Sequence, residues 1–476
     1  MKSAYFKELE RITFDDIKKK LNLDDKNVEE LINSAEYNSR RIVKKYYNNK
    51  TERMEYSFDF VGIIMFKNCI VKCIPKYYTD IESNKDNILK KIIKVIKKYR
   101  NTQDDIVGFS NVNSDKELNY LSIICYILDD YLQYDLYSND KSIYEMNGNG
   151  EIEWERTIND IQEYIVNGRP VYFDLITSEI VNNEGDYIRK IHKYVVGQCS
   201  KMLNEHGILD MLSYPLIEFS DAEELYDDTD FVINRITKEL DTEFNSRKQE
   251  LLRTLKLYFV HKQNYGEENY EGFVGTMDFN IVWEKICSSV LENQLENRTK
   301  NIKWIEDNYI SKDDKGKKLK ELIPYPIWKK DGCTESVKAT TVKIDIISII
   351  KENGLRYFII WDAKYYNIKF TEDEIDDNPG VQDIIKQYVY NFVYKKFIKE
   401  QKFDKSYNIL LFPSEDDTVS IEGKAEFEIL QKKLEVDDIL VMKMPVEIIF
   451  DLYLNNRIID FKDIINYLPD RENFED

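Results

Sequence analysis

Apolar positions recur along this chain with two periods, one typical of helices and the other typical of strands. Helical spacing over residues 13–21 and 24–35 predicts two short helices, each opened by capping residues. Two apolar runs follow at residues 56–66 and 69–74, and the two residues between them predict a tight hairpin. Two helices followed by a hairpin are compatible with a winged-helix-like module that binds DNA or a partner. The simpler interpretation is that these elements have only a structural role.

The next segment, residues 84–100, has one apolar stripe surrounded by lysines. Ile92, Val95 and Ile96 recur at the spacing of a single helix face, which predicts an amphipathic helix. Its lysine-bearing face is interpreted as solvated or, alternatively, as a surface that follows a nucleic-acid backbone.

Residues 111–265 have a mainly helical pattern, interrupted by an acidic loop at residues 221–230. From about residue 270, strand and helix patterns alternate, which predicts helices on a central mixed sheet. The predicted fold class is therefore α+β or mixed, with an N-terminal helical-plus-hairpin region (1–110) that binds a partner or DNA, a mainly helical middle region (111–265) and a C-terminal domain (266–476). The elements predicted in the C-terminal domain are helices at residues 278–297, 381–400 and from Val446, and strands at residues 337–350, 356–366, 407–412 and 439–444.

The charge balance limits how this chain can contact a nucleic acid. Its 476 residues carry 68 Lys and Arg against 88 Asp and Glu, a formal net charge of −20. This excludes a polybasic protein that coats DNA, so any contact with phosphate must come from local basic patches. No apolar run approaches the ~20 residues that span a bilayer, and the N-terminus lacks the apolar core of a signal peptide. We expect a cytoplasmic protein without membrane contact.

Several kinds of chemistry are not supported by the sequence. The six cysteines and three histidines are scattered, so buried thiols are expected rather than disulfides or a zinc site. The motif GxxxxGK followed by Ser or Thr does not occur, nor do GxGxxG, GxSxG or HExxH. We therefore expect no nucleotide to be bound by this chain itself, and neither serine-hydrolase nor zinc-protease activity.

The candidate chemistry lies in the strands predicted at residues 337–350 and 356–366. Asp345 is embedded in the first strand, and the second ends in Asp362-Ala-Lys364. Strand alternation places Asp362 and Lys364 on one face, and a turn between the strands would bring Asp345 close to Asp362. Neighbouring carboxylates repel each other unless a cation lies between them, and Mg²⁺ suits oxygen ligands while keeping several waters. The ammonium of Lys364 would orient or activate the attacking water, or stabilise charge on the reacting phosphate.

An acid-x-base triplet alone carries little information in so charged a chain, because chance gives roughly 12 of them at this composition. The context is what distinguishes this triplet. An apolar strand precedes it, a second acid lies in the strand before, and helices carrying Glu284 and Lys386-Gln387 flank the sheet. This order suits a PD-(D/E)xK phosphodiesterase. The alternative is an exposed strand with ordinary ion pairs.

Four blocks of the C-terminal domain resemble the LlaJI family of restriction endonucleases, which is related to the McrC nuclease subunit. They are Phe279-Asn-Ile-Val-Trp-Glu-Lys-Ile-Cys, Lys343-Ile-Asp-Ile, Trp361-Asp-Ala-Lys-Tyr-Tyr and Gly380-Val-Gln-Asp-Ile-Ile-Lys-Gln-Tyr. Upstream, Glu151-Ile-Glu-Trp-Glu-Arg-Thr-Ile and the hairpin end Ile74-Pro-Lys-Tyr-Tyr are also similar. The resemblance covers about residues 55–450 in scattered blocks.

The resemblance implies a PD-(D/E)xK nuclease core that cuts DNA phosphodiester bonds with Mg²⁺. By that resemblance, Asp345 and Asp362 bind the metal and Lys364 is the catalytic lysine. The second acid is Asp rather than the commoner Glu, which shortens its reach by one methylene. McrC-type nucleases also have Asp there, so this position agrees with the family.

Two further residues are implied by the resemblance. Glu284, on the helix before the sheet, matches an acid that completes the metal shell through a water. Its alternative role is a surface salt bridge with Lys285 or another neighbour. Gln387 falls where related nucleases place a glutamine beside the site, and Gln382 competes for that role.

The resemblance also implies partners. McrC-like subunits act with an McrB-like AAA+ GTPase, and the missing nucleotide motif fits that arrangement as well as it fits a stand-alone nuclease. On this view the N-terminal half docks the motor, double-stranded DNA is the substrate, and a DNA methyltransferase belongs to the same system. Two alternatives stay open. One is a stand-alone repair or recombination nuclease, and the other is a non-catalytic adaptor that stimulates an AAA+ motor.

A lysine-rich stretch at residues 312–330 precedes the candidate strands, with Tyr325 and Trp328 interleaved. It is either a loop that grips phosphate or a solvated loop. On the first interpretation, the lysines assigned to DNA are Lys315, Lys317, Lys318 and Lys320, together with Lys386 on the helix after the sheet.

Overall fold

The computed structural model of the protein describes residues 2–34, 36–37, 40–67, 69–79, 84–102, 119–182, 186–219, 228–265, 271–311, 314–329, 331, 336–338, 341–371 and 374–469. The chain divides into two compact units, residues 1–108 with 274–476 and residues 109–273. The first unit thus unites the predicted N-terminal region with the predicted C-terminal domain, and the second corresponds to the predicted middle region. None of the described helices is long and apolar enough to cross a membrane.

The N-terminal part of the first unit contains short strands, two short helices and one long helix. The strands are β1 (Lys2–Lys7), β2 (Ile12–Thr13), β3 (Glu36–Tyr37), β4 (Arg40–Arg41), β5 (Val43–Asn48), β6 (Arg53–Phe58), β7 (Val61–Phe66) and β8 (Cys69–Ile74), and the helices are α1 (Phe14–Leu21), α2 (Asp25–Ser34) and α3 (Lys85–Thr102).

The second unit contains helices and short antiparallel strands. The helices are α4 (Tyr120–Tyr134), α5 (Trp154–Asp160), α6 (Tyr187–Glu205), α7 (Thr229–Thr242) and α8 (Ser246–Tyr265), and the strands are β9 (Asp140–Met146), β10 (Glu151–Ile152), β11 (Tyr164–Val166), β12 (Arg169–Val171) and β13 (Ile176–Asn182).

The C-terminal part begins at β14, which crosses the boundary between the two units. The strands are β14 (Gly272–Thr276), β15 (Ile327–Lys329), β16 (Ser336–Lys338), β17 (Ile346–Glu352), β18 (Leu355–Ala363), β19 (Lys369–Phe370), β20 (Ile375–Asp376), β21 (Lys405–Ser414), β22 (Ser420–Ala425) and β23 (Ile439–Pro445), and the helices are α9 (Phe279–Val290), α10 (Val381–Gln401), α11 (Glu428–Leu434), α12 (Val446–Leu454) and α13 (Lys462–Ile465).

The two predicted N-terminal helices are confirmed as α1 and α2. The hydroxyl of Thr13 accepts a hydrogen bond from the N–H of Asp16, and the Asp16 carboxylate accepts one from the N–H of Thr13. This reciprocal pair satisfies two backbone donors that the first turn of a helix leaves open. Ile17 and Leu21 on the inner face of α1 are buried, so local capping and packing both favour the helix.

The predicted hairpin is also confirmed, but it is not a DNA-binding wing. β7 pairs with β8 so that Phe66 lies opposite Cys69, and every residue of both strands is buried. They are the two inner strands of a sheet with the order β1-β8-β7-β14. A wing must expose side chains to reach phosphate, so the winged-helix interpretation is wrong for this hairpin.

Gly62 lies where β7 packs closely against its neighbouring strand β14. Its φ is 144°, and a Cβ atom at this position would lie 2.2 Å from the carbonyl oxygen of Val274. Only glycine permits the two backbones to approach this closely. The apolar run at residues 56–66 is divided between two strands, since β6 ends at Phe58 and β7 begins at Val61.

In the second unit, α4 is the most apolar helix, and it contacts α6 and α8. The mainly helical pattern predicted over residues 111–265 corresponds to α4, α5, α6, α7 and α8. The three-stranded sheet with the order β10-β13-β9 was not predicted. Residues 221–227 of the predicted acidic loop lie outside the described residues.

The C-terminal part is built around a mixed five-stranded sheet with the order β17-β18-β21-β23-β22. β17 and β18 are antiparallel, whereas β18, β21 and β23 run parallel to one another. The strands predicted at residues 356–366, 407–412 and 439–444 correspond to β18, β21 and β23, and the helix predicted at residues 381–400 is α10. The prediction of a mixed α/β architecture is confirmed, while β22 and α11 were missed.

Two predicted elements are shorter in the structure than in the prediction. The helix predicted at residues 278–297 ends at Val290, because the following residues hydrogen-bond to the edge strand instead. Gln294 N–H donates to the carbonyl of Ile347 at 2.9 Å, and the Asn293 amide donates to the carbonyl of Asp345 at 2.8 Å. The strand predicted at residues 337–350 accordingly begins at Ile346.

The described cysteines are free and buried, as expected. They are Cys69, Cys73, Cys125, Cys199 and Cys287. Cys333 lies outside the described residues.

Candidate active site

Asp345 and Asp362 meet where β17 begins and β18 ends. In the antiparallel ladder Ile346 lies opposite Trp361, so the next pair outward is Asp345 and Asp362. The N–H of Ala363 donates to Oδ2 of Asp345 at 3.2 Å. Asp345 therefore lies one residue before its strand rather than inside it, but the predicted approach of the two acids is present.

Strand alternation directs both acids toward α10. Ile347 and Phe358 belong to a hydrophobic cluster that includes Tyr390 and Tyr394 of α10. Asp345 lies two residues before Ile347, and Asp362 lies four residues after Phe358, so each continues its strand's α10-facing row. The acids are therefore placed at the end of an apolar interface between the sheet and α10.

The two carboxyl groups are close enough to share a hydrogen bond. Burial raises the pKa of Asp345, and the negative charge of Asp362, this hydrogen bond and the charge of Glu284 raise it further. Asp362 is itself only 5% exposed. Two adjacent negative charges in a partly dehydrated site repel each other, so the protonated form of Asp345 is favoured.

The ammonium of Lys364 lies directly beside this pair. Its Nζ is 2.7 Å from Oδ2 of Asp362 and 3.1 Å from Oδ1 of Asp383. Burial alone would lower the pKa of Lys364, but the carboxylates of Asp362 and Asp383 outweigh it and hold that pKa above its ordinary value. Lys364 is therefore a fixed positive charge between two acids.

Asp383 is a site residue that the sequence analysis missed. It lies in the first turn of α10, and besides Lys364 it contacts the Nζ of Lys386 at 3.7 Å. A signal existed, since Asp383 and Gln387 are four residues apart and share one face of the helix. The predicted DNA ligand Lys386 is thus partly neutralised, although its side chain remains 58% exposed.

Gln387 lies one turn further along α10 and is completely buried. Neither its Oε1 nor its Nε2 has a hydrogen-bond partner among the described residues, and the Oδ1 of the buried Asn408 also lacks one. Asn408 donates to the backbone carbonyl of Gln387 at 2.9 Å. Buried amide groups without partners are rare and costly, so this pair of buried amide side chains is unusual. The competing Gln382 is exposed.

Glu284 lies on α9 and is half-buried. Its charge contributes to the raised pKa values of Asp345 and of the buried thiol Cys287, which places it within electrostatic reach of the acids. In the described part of the chain, Glu284 forms no ion pair within 4.0 Å, with Lys285 or any other base. Its assignment to the metal shell stays a prediction.

The donor set fits a hard divalent cation held by two carboxylates. Within the described residues, no group of three or more His, Cys, Asp or Glu side chains is arranged to hold a metal ion. Mg²⁺ does not require such a group, because it commonly binds one or two carboxylates and keeps several waters. Repulsion between Asp345 and Asp362 is the electrostatic feature that a bound cation would relieve.

The lysine-rich stretch before β17 is less basic in the structure than its composition suggests. Lys317 pairs with Asp314 at 2.8 Å, and Lys318 and Lys320 both pair with Glu296, at 2.8 and 2.5 Å. Lys312 and Lys330 lie outside the described residues. The assignment of Lys315, Lys317, Lys318 and Lys320 to DNA stays a prediction, but the last three of these lysines already pair with acids.

Two lysines of α3 are also engaged within the protein. Lys91 pairs with Glu447 at 2.6 Å and with Asp451 at 3.0 Å, both on α12. Lys98 donates to the carbonyl of Leu454 at the end of the same helix. These contacts hold α3 against α12, so the predicted solvated or phosphate-contacting face is partly an internal interface.

Comparison with known proteins gives a consistent family. A model of the LlaJI restriction endonuclease family matches residues 60–321 and 308–452 of this chain. The chain is also similar to the type II restriction enzyme BsuMI component YdjA of Bacillus subtilis (strain 168). The two are 27% identical over 473 residues, which cover 94% of this chain and 93% of that protein.

Two solved structures are similar at a lower level. One is a refined half-complex from a tetradecameric assembly of Thermococcus gammatolerans McrB AAA+ hexamers with bound McrC. It is 14% identical with a TM-score of 0.36, and the match covers 95% of this chain and 99% of that chain. The other is the Thermococcus gammatolerans McrBC complex, at 14% identity and a TM-score of 0.23, with 62% and 88% covered.

Proposed function

This chain belongs to the LlaJI restriction endonuclease family, and from that premise we propose that it is the DNA-cleaving subunit of a restriction system. We propose that it hydrolyses DNA phosphodiester bonds with Mg²⁺ at a PD-(D/E)xK centre formed by Asp345, Asp362 and Lys364. The observation that carries this proposal is the hydrogen-bonded pair of Asp345 and Asp362 beside the ammonium of Lys364.

Asp345 and Asp362 are the residues that would hold the metal, with Glu284 in reach to bind one of its waters. A divalent cation at such a site supplies a polarised phosphate and a water of lowered pKa. Asp362 is buried and Asp345 is half-buried, and the pairing of the two strands places both acids at the same end of the ladder. Such preorganisation allows a site to bind charge without rearranging during the reaction.

Lys364 contributes a permanent positive charge. Because Asp362 and Asp383 raise its pKa, the amine is protonated at neutral pH and cannot accept a proton from water. Among the roles considered from the sequence, the protonated state favours orientation of the water or stabilisation of the negative charge that develops on the phosphate. Asp383 would position Lys364 for that role.

The restriction function is favoured over a repair nuclease by family membership and by the relative from Bacillus subtilis, which is named as a restriction enzyme component. A component acts with other chains. Together with the absence of a nucleotide-binding motif in this sequence and the resemblance to McrC-type subunits, this supports an McrB-like AAA+ GTPase as the partner. The same system would contain a methyltransferase that protects the host DNA.

The test is cleavage of unmethylated plasmid DNA by the full chain with Mg²⁺, with and without the AAA+ partner and GTP. Wild type is compared with Asp362→Ala and Lys364→Ala, and with Lys432→Ala as a control at an exposed lysine that pairs with Glu428. Wild type and the control should cut, whereas the two site variants should lose at least about 100-fold in rate, as expected when a charge-stabilising group is removed.

Two other outcomes would identify the alternatives. If both site variants cut at the wild-type rate, the assigned centre is wrong. If no protein cuts but the GTPase activity of the partner still rises when the chain is added, the chain is a non-catalytic adaptor. Cutting that needs neither partner nor GTP would indicate a stand-alone nuclease.

A further inference from the structure

A pocket of about 260 Å³ lies between α3, α9 and the segment that follows α12. Three basic side chains line it, Lys98, Lys285 and Arg457, together with the polar residues Ser289 and Asn456. None of the described residues that line it is acidic. In a chain with 88 acidic residues against 68 basic ones, a concave site of this charge is unexpected.

The basic residues of this pocket differ from the other lysines considered above. Lys91, Lys318 and Lys320 each pair with a carboxylate within 4.0 Å. In contrast, within the part of the chain that the structure describes, no carboxylate lies that close to Lys285 or Arg457. Both side chains belong to exposed residues, so their charges remain available to an anion from solution.

Lys98 and Asn456 form a fixed wall of the pocket. The Lys98 ammonium donates to the carbonyl of Leu454 at 3.0 Å and to Oδ1 of Asn456 at 2.7 Å. These acceptors are neutral and lie at the carboxyl end of α12, where a cation is favoured by the helix dipole. Oδ1 of Asn456 is used in this way, whereas its Nδ2 donates to no group among the described residues. Burial lowers the pKa of Lys98, as expected for an ammonium without a charged partner.

The pocket and the candidate centre are connected through α9. Lys285 follows Glu284 directly, and the charge of Glu284 acts on Asp345. Consecutive Cα atoms are only ~3.8 Å apart, so α9 presents the acid to the centre and the base to the pocket. Phosphates of one DNA strand recur every ~3.4 Å along the duplex axis. A strand whose scissile phosphate reaches Asp345 and Asp362 would thus bring neighbouring phosphates to this flank of α9.

We propose that this pocket binds a backbone phosphate of the DNA substrate, close to the bond that is cut. Arg457 would bind two phosphate oxygens with its planar guanidinium, Lys285 would add a second charge, and Nδ2 of Asn456 would donate a hydrogen bond. The proposal rests on the nuclease function proposed above. On this proposal the phosphate is bound by Lys285 on α9 and Arg457 after α12, rather than by the carboxylate-paired lysines before β17.

The test is equilibrium binding of a fluorescent 30-base-pair duplex to the full chain in EDTA, measured by anisotropy over a range of salt concentrations. The double variant Lys285→Gln/Arg457→Gln should bind about tenfold more weakly, and its plot of log K against log salt should be flatter by about one. The matched control is Lys396→Gln/Lys432→Gln, which replaces two exposed lysines that each pair with a carboxylate and should bind like wild type. A second control, Lys285→Arg, retains the charge and should bind like wild type. Melting temperatures verify that all the variants are folded.

The outcomes separate this proposal from the nuclease function. If wild type binds and the double variant has the same affinity and salt slope, the pocket proposal is wrong whatever the cleavage assay shows. If DNA binding is unchanged but association with the AAA+ partner is lost, the pocket is a protein contact and the proposal is also overturned. If wild type binds DNA without cutting it under any condition, the nuclease function fails, and the salt slopes still decide the pocket. If wild type does not bind DNA, both proposals fail.

Discussion

The ammonium nitrogen of Lys364 lies 2.7 Å from Oδ2 of Asp362, an acid two residues earlier in the chain. Lys364 continues β18 by one residue, since its N–H donates to the carbonyl of Leu411 at 2.8 Å. The strand pleat thus sets the spacing of the acid and the base, and Asp383 holds the ammonium from the other side. Neighbouring charges thus shift the pKa of both Asp345 and Lys364.

Replacing Lys364 should separate the effect of charge from the effect of position. Lys364→Gln should reduce cleavage about 100-fold or more, because the neutral amide cannot stabilise the charge that develops on phosphate. Asp383→Asn leaves the charge of Lys364 in place but removes one of the two carboxylates that hold its ammonium. We therefore expect a smaller loss of cleavage rate, of about tenfold. Single-turnover cleavage rates measure both effects. Equal losses in the two variants would contradict a purely positioning role for Asp383.

Asp345→Asn should inactivate the protein and yet stabilise it when no metal is present. Because the pKa of Asp345 is raised in the folded state, the folded protein keeps this proton to a higher pH than the unfolded chain does. The free energy of unfolding should therefore fall as pH rises above the ordinary pKa of 3.8 and through the raised value. Urea unfolding in EDTA at several pH values should show that the free energy of unfolding falls less steeply with rising pH in the variant than in wild type.

Added Mg²⁺ should reverse the difference in stability between Asp345→Asn and wild type. Mg²⁺ binds only the folded centre and should raise the melting temperature of wild type at pH 8. The same addition should leave Asp345→Asn unchanged. A variant that is stabilised by Mg²⁺ as strongly as wild type would show that the cation binds elsewhere.

Gln387 offers a test in which stability and activity change in opposite directions. Its buried amide has no partner among the described residues, so Gln387→Met should raise the free energy of unfolding, by about 1–3 kcal/mol. Cleavage should fall if the amide serves the site. The matched control is Gln401→Met on the same helix. Gln401 is equally buried but hydrogen-bonds to both the N–H and the carbonyl of Glu306, so this change should destabilise the protein.

Glu8 should make the first unit pH-sensitive. Burial raises the pKa of this glutamate from 4.5 to about 7, although it accepts hydrogen bonds from the Tyr365 hydroxyl and the Lys76 N–H. Keeping it ionised above pH 7 should cost about 3 kcal/mol. Glu8→Gln should thus be more stable than wild type at pH 8 and lose this advantage near pH 4.5. Chemical unfolding at both pH values checks this, with Glu10→Gln as an exposed control. A constant difference would contradict it.

The sequence predicted the site best where the determining contacts are local. Asp345, Asp362 and Lys364 are brought together by one antiparallel pair with a short turn, so alternation and turn spacing were sufficient. The capping of α1 could likewise be predicted, because Thr13 and Asp16 are only three residues apart in the sequence. The exact start of β17 was missed, since it depends on hydrogen bonds from Asn293 and Gln294.

Contacts between distant residues could not be predicted in this way. The pairing of Lys318 and Lys320 with Glu296 depends on how the chain folds back before β17, so the sequence overestimated the free charge of that stretch. The hydrogen bond between Glu8 and Tyr365 joins residues 357 positions apart. It is part of what unites the N- and C-terminal parts in one unit, and no local pattern indicates it.

Whether Asp345 and Asp362 form the cation site is measured most directly by calorimetric titration of the full chain with Mn²⁺, a readout that does not require cleavage. We expect one bound ion per chain for wild type and for Lys285→Gln, and no binding at the same site in Asp345→Asn or Asp362→Asn. If either site variant binds the ion with the wild-type stoichiometry and affinity, these two acids do not hold the metal, and the proposed centre is contradicted.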